Sequence, residues 1–121
     1  MQTYSLQTQR LIKSAVTVPV YADYVPERAA LPAISWINIS RQVGRVMAGV
    51  KTPAKIYHRM FIVAKVGTMA QVDPIVTALT ALDNTSNQDF QRIEISISSV
   101  EPLQPESPVF RVIFDLTLTA R

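Results

Sequence analysis

Apolar and polar positions alternate most regularly at the end of the chain, where Phe110, Val112, Phe114, Leu116 and Leu118 interleave with Arg111, Ile113, Asp115, Thr117 and Thr119. Strand side chains point to opposite faces in turn, so one set makes an apolar face and the other a mixed one. A strand of this kind builds the last residues into a core. Phe90 to Ser98 repeats the pattern, with Ile93, Ile95 and Ile97 set against Arg92, Glu94, Ser96 and Ser98. Ile56 to Val66 is half apolar on both faces, as expected of a strand near the middle of a sheet, or of one with helices over one face and a neighbouring subunit over the other.

Two stretches change period. Between Thr3 and Val16, the residues Tyr4, Leu11, Ile12, Ala15 and Val16 fit a short amphipathic helix that ends before the β-branched run leading to Pro19. Val72, Ile75, Val76, Leu79 and Leu82 recur at helical spacing after Gly67. Thr68 with Gln71 offers one start for this helix and Asp73-Pro74 another. The second is favoured, because proline inside a helix costs about 3 kcal/mol. Asp83 to Asn87 closes the helix as a polar turn. Val18 to Pro26 reads as a strand bracketed by prolines that sits at a sheet edge or starts just after Pro19, and Ala33 to Ile39 as the next strand.

The order is helix, three strands, helix, two strands. It predicts an α+β domain over residues 1–121, with a mixed, mainly antiparallel sheet of about five strands and both helices packed on one face. Ile12, Ile75, Leu79, Ile95, Val112, Phe114 and Leu116 form the expected core. At this length roughly two thirds of the extended-chain surface is buried on folding, enough for a core without staples. Glu101 to Pro108 is a proline-rich connection, and no repeat or low-complexity tract divides the chain.

From Ser40 to Lys55 the pattern fades. Gly44, Gly49 and Pro53 punctuate a segment that holds Arg41, Arg45, Lys51 and Lys55, and it reads as a long irregular loop. Such connections are uncommon in compact domains and are usually functional. These four basic residues are the candidate partner contacts.

Composition narrows the chemistry. The chain has no cysteine, which excludes disulfides, thiolate metal sites and a cysteine nucleophile. Its three glycines cannot write a dinucleotide fingerprint or a phosphate loop. His58 is the one histidine, inside a strand pattern, and reads as a partly buried residue hydrogen-bonded locally. The nine carboxylates are spread singly through caps, turns and strand faces, so neither a catalytic site nor a cofactor or metal is expected. Trp36 suits core packing better than a subunit contact. The N-terminal Met1 to Leu6 lacks the character of a signal peptide and no apolar run spans a bilayer, so the expectation is a soluble chain made in the cytoplasm without membrane contact. The net charge of +3 is a mild excess. It leaves open a small nucleic-acid-binding α+β domain that uses the 40–55 loop with Tyr57 or Trp36, although no aromatic and glycine motif of the RNA-binding type is present.

Taken together these residues resemble the tail terminator proteins of long-tailed bacteriophages, also called tail completion or head-tail joining proteins. The resemblance rests on the leading helix, on V-P-V-Y-x-x-Y-V-P at Val18 to Pro26, and on the Leu31-Pro32 step into the strand that carries Trp36. The long strand feeding a single helix and the final strand match as well. It implies a non-enzymatic virion protein of the tail or neck, assembled as a six-membered ring that caps the tail tube and stops its polymerisation. The ring would dock a neck or head-completion protein, with DNA only as the passing genome. The basic Ser40 to Lys55 segment departs from the family pattern.

Overall fold

A computed structural model describes residues 5–26, 28–42, 46–47, 50–51, 53–102 and 108–121, with the backbone alone at 42, 46–47, 50–51 and 101–102. The elements in chain order are α1 (Ser5–Ala15), β1 (Val20–Ala22), β2 (Ala33–Gln42), β3 (Val46–Met47), β4 (Val50–Lys51), β5 (Lys55–Lys65), α2 (Met69–Thr80), β6 (Phe90–Pro102) and β7 (Val109–Ala120). Five strands form one sheet in the order β1-β2-β5-β7-β6, and β3 with β4 forms a separate two-stranded ribbon. The pairing is antiparallel throughout except between β1 and β2, which run parallel. The α+β class, the mixed sheet and the central place of the Ile56 strand are as the alternation predicts.

Cross-strand neighbours share a face, so the register identifies each side of the sheet. Ile34, Trp36, Met60, Ile62, Val112, Phe114 and Leu116 lie on one side, with Ile93 and Ile95 beside them. Both helices add to this layer. Leu11 and Ile12 come from α1, and Val72, Ile75 and Leu79 from α2, all buried in the same cluster. Every residue of the expected core is there.

Four expectations need correction. First, α2 starts at Met69 and carries Pro74 in its interior, not at its first position. Pro74 has no N–H for the Ala70 carbonyl. The loss is tolerated because Val72, Ile75 and Leu79 are buried on one stripe, and burial of side chains this size is worth about 1.5 to 3 kcal/mol each. Second, the Val18 to Pro26 strand contracts to three residues, although it does sit at the sheet edge. Third, the Ser40 to Lys55 segment is not an irregular loop throughout. β2 continues to Gln42 through a register shift between Asn38 and Ser40, and the β3–β4 ribbon follows. Once β5 supplies a neighbouring ladder, extended backbone forms there despite weak hydrophobic alternation.

The fourth correction concerns the sheet face turned away from the helices. Ile113 is only 8% exposed, and Ala33 and Ser35 are buried, so this chain covers them without a neighbouring subunit. The parallel β1–β2 pair requires a crossover, and residues 23–32 make it without a helix. Its residues Tyr24, Val25, Pro26 and Leu31 line a groove with Ser35, Phe61 and Val63 of that face. The Arg111 guanidinium stacks over the Phe61 ring at 5.0 Å, adding an amphipathic cover.

Phe114 is fully buried, between Met60 on β5 and Ile97 on β6. Truncating Phe114 to alanine is expected to cost about 3 to 5 kcal/mol in reversible denaturation. A loss below about 1 kcal/mol would contradict the packing.

Candidate partner-contact site

Two of the basic candidates, Arg41 and Lys55, lie at one end of the sheet and divide between its faces. Arg41 is opposite Ile56 and half-buried on the helix side, whereas Lys55 is opposite Thr119, exposed, on the other side. Lys51 is paired with Val46 in the ribbon. Arg45 lies outside the described residues. The same end carries the start of β6 and the end of β7, bringing in two cations that the spacing argument did not include. These are Arg92, which pairs with Glu94 at 3.3 Å, and Arg121, whose Nε donates to the Asn87 carbonyl at 2.7 Å. The topology therefore builds a basic rim from segments far apart in sequence.

Beneath α1 lies a polar cluster that fixes the helix to the sheet. Trp36 Nε1 donates to Gln9 Oε1 at 2.6 Å, and Gln9 Nε2 donates to the Val20 carbonyl at 2.8 Å. One glutamine thereby ties α1 to two strands. Trp36 is 5% exposed under this contact, so it offers no surface for stacking a nucleic-acid base. Core packing is its role, as expected.

His58 completes the cluster. Its Nε2 lies 3.2 Å from Thr8 Oγ1, its Nδ1 lies 3.4 Å from Asn38 Nδ2, and its ring meets Trp36 edge-on at 5.1 Å between centroids. The ring is buried more completely than the alternation suggested, at 3% exposure. Burial away from water lowers its pKa from 6.5 to about 4, and a hydrogen bond with the Ile37 backbone opposes the shift only in part. An imidazolium bears N–H on both nitrogens, so Nδ1 would then face the Asn38 amide donor. α1 carries Arg10 and Lys13 and no carboxylate to offset the charge. His58 is neutral at physiological pH, and the cluster positions α1.

The open face of the sheet holds a groove of about 490 Å³ under the 23–32 crossover, with Val109 and Arg111 completing its rim. Its walls are mostly apolar, and Tyr24 at its edge is 72% exposed. Among the described residues no cluster of histidine, aspartate or glutamate could hold a metal ion. No described helix is long and apolar enough to cross a membrane.

No protein-family model matches the chain, and no curated protein matches its sequence. A chain in a solved virion of a native gene transfer agent particle has a similar fold, with a TM-score of 0.56 over 95% of this chain and 87% of that one. The two are 9% identical, so the likeness is one of fold.

His58 is the one histidine, so its titration can be followed by NMR without assignment ambiguity. The expected midpoint is about 4. Because the folded value lies below the unfolded one, the unfolded chain binds the extra proton between them. Stability is therefore expected to be full above pH 6.5 and to fall as the pH drops toward 4. The total loss is about 3 kcal/mol, and His58→Phe should flatten that part of the pH profile. A midpoint near the ordinary histidine value would mean that the ring is open to water.

Proposed function

We propose that this chain is a structural, non-enzymatic virion protein of the tail-terminator kind. In this reading it assembles as the six-membered ring that the family resemblance implies, on the end of a tail tube, stops tube growth and presents a docking surface to the neck. The observation that carries the reading is the fold shared along nearly the whole chain with a component of a gene transfer agent virion. The element order that resembles tail terminators supports it independently. A ring needs heterologous contacts whose rotation closes, and a flat ring end is suited to capping a tube.

The basic rim is the proposed contact with tube or neck. Lys55 is exposed at its base and follows the ribbon that carries Lys51, and Arg41 and Arg45 precede that ribbon in sequence. Like-signed charge at one end of a subunit, repeated around a ring, makes a band that selects an acidic partner surface and orients its approach.

Purified protein mixed with tail tubes is expected to give rings on tube ends in negative-stain images. Monomers alone, with tubes left uncapped, would remove the terminator reading. Replacing Arg45, Lys51 and Lys55 with serine should leave head-tail joining impaired, visible as separate heads and tails in lysates. At Lys55, an exposed site, the stability change should stay within about 0.5 kcal/mol. Normal virion yield from the triple variant would make the rim a solvated surface only.

A further inference from the structure

His58 is enclosed by a roof and walls of unequal strength. The walls are strands: β5 carries the ring, β2 and β7 flank it, and main-chain ladders hold all three together. The roof is α1, whose Thr8 places Oγ1 3.2 Å from Nε2. No ladder holds α1. It rests on three buried residues, Thr8, Leu11 and Ile12, and on the two bonds of Gln9. Residues 16–18 separate the helix from Pro19, whose carbonyl accepts from the Ile34 N–H at 2.9 Å. From Pro19 onward the chain is pinned to the sheet, so α1 can leave without taking a strand with it.

The closed site has no place for a second proton on the ring. Asn38 Nδ2 faces Nδ1 at 3.4 Å and also donates to the Tyr57 carbonyl at 3.5 Å. Turning the amide to accept from an imidazolium would set its oxygen against that carbonyl. The surrounding elements supply no counter-charge. Arg10 and Lys13 are the ionisable residues of α1, Arg41 is the one on the helix side of β2, and Tyr21 of β1 is in register with Ser35 on the other face. On the helix side of β5 and β7 every other residue is apolar. The carboxylates of these elements are Asp115, paired with Arg59 on the other face, and Asp73, exposed in the part of α2 that follows Lys65 at the far end of β5.

A charge held in such a site is relieved by admitting water, and local opening starts with the element that has the fewest buried contacts. We propose that α1 is an acid-released latch: protonation of His58 lets it swing away about residues 16–18 while the five-stranded sheet stays paired, uncovering Trp36. The device does not depend on the terminator reading.

The size of the effect follows from linkage. The closed state favours the neutral ring and the open state the charged one, so acid raises the opening constant. With the closed value at about 4 and the ordinary value of 6.5 once the ring meets water, the constant rises about 300-fold between the neutral and the fully protonated ring.

The Trp36 indole N–H is a direct reporter, since the chain has one tryptophan and this group donates to Gln9 Oε1. Hydrogen exchange, corrected for intrinsic rates, is expected to show α1 amides and the indole N–H at least about tenfold less protected than the amides of β5 and β7 at every pH. Protection of α1 and the indole should fall about twentyfold from pH 7 to pH 5, a range above the ordinary carboxylate values. In His58→Phe that fall should shrink to less than about threefold. If phenylalanine perturbs the fold, the wild-type profile decides alone, because only a histidine makes protection fall from about pH 6.5 downward. Exchange of α1 and the indole together with β5 and β7, a fall confined to the carboxylate range, or an unchanged fall in a folded H58F protein overturns the latch.

Discussion

The structure depends on β7 being paired along both edges over almost its full length, from Val109 beside Lys65 to Ala120 beside Phe90. Six positions on its helix side, Phe110, Val112, Phe114, Leu116, Leu118 and Ala120, are buried. A slip of one residue would turn that row to the other face and expose it, so hydrophobic burial holds the register firmly. β5 pairs without interruption, while β6 absorbs its mismatch in two register shifts, between Phe90 and Arg92 and between Ile97 and Ser99. Both irregularities in the pairing with β7 fall on the outer strand, where bending costs least.

The two faces of the sheet are covered by different means. Both helices make the helix side dry, apart from a polar cluster in which Gln9, Thr8, Trp36, Asn38 and His58 find partners. Buried polar groups are costly unless bonded, and no described buried side-chain nitrogen or oxygen lacks a partner. The other face has no helix and is covered by the 23–32 crossover and by long side chains. It retains a groove. Helix on one side and chain crossover on the other leave the rim of the sheet as the place where surfaces remain to be used.

The proposed contact lies at that rim. One end gathers cations from β2, β5, β6 and the last residue. The charge suits the proposed contact, since like-signed groups steer the approach of an acidic partner.

The alternation of residues determined the element order, the central strand, the edge position of β1 and the membership of the core. Those follow from the periods of strands and helices, which are local properties. The helix start was misread because Pro74 is locally unfavourable in a helix, and only the burial of Val72, Ile75 and Leu79 against the sheet outweighs that preference. Strand continued past Ile39 because β5 offered a ladder that no local pattern announces. Trp36 was legible as core, but its bond to Gln9 and the depth of His58 were not, since they arise between segments far apart in sequence. The basic candidates were visible as residue types. That Arg41 and Lys55 lie on opposite faces and that Arg92 and Arg121 join their rim were decided by tertiary pairing, because edges, faces and rims exist only once strands have neighbours.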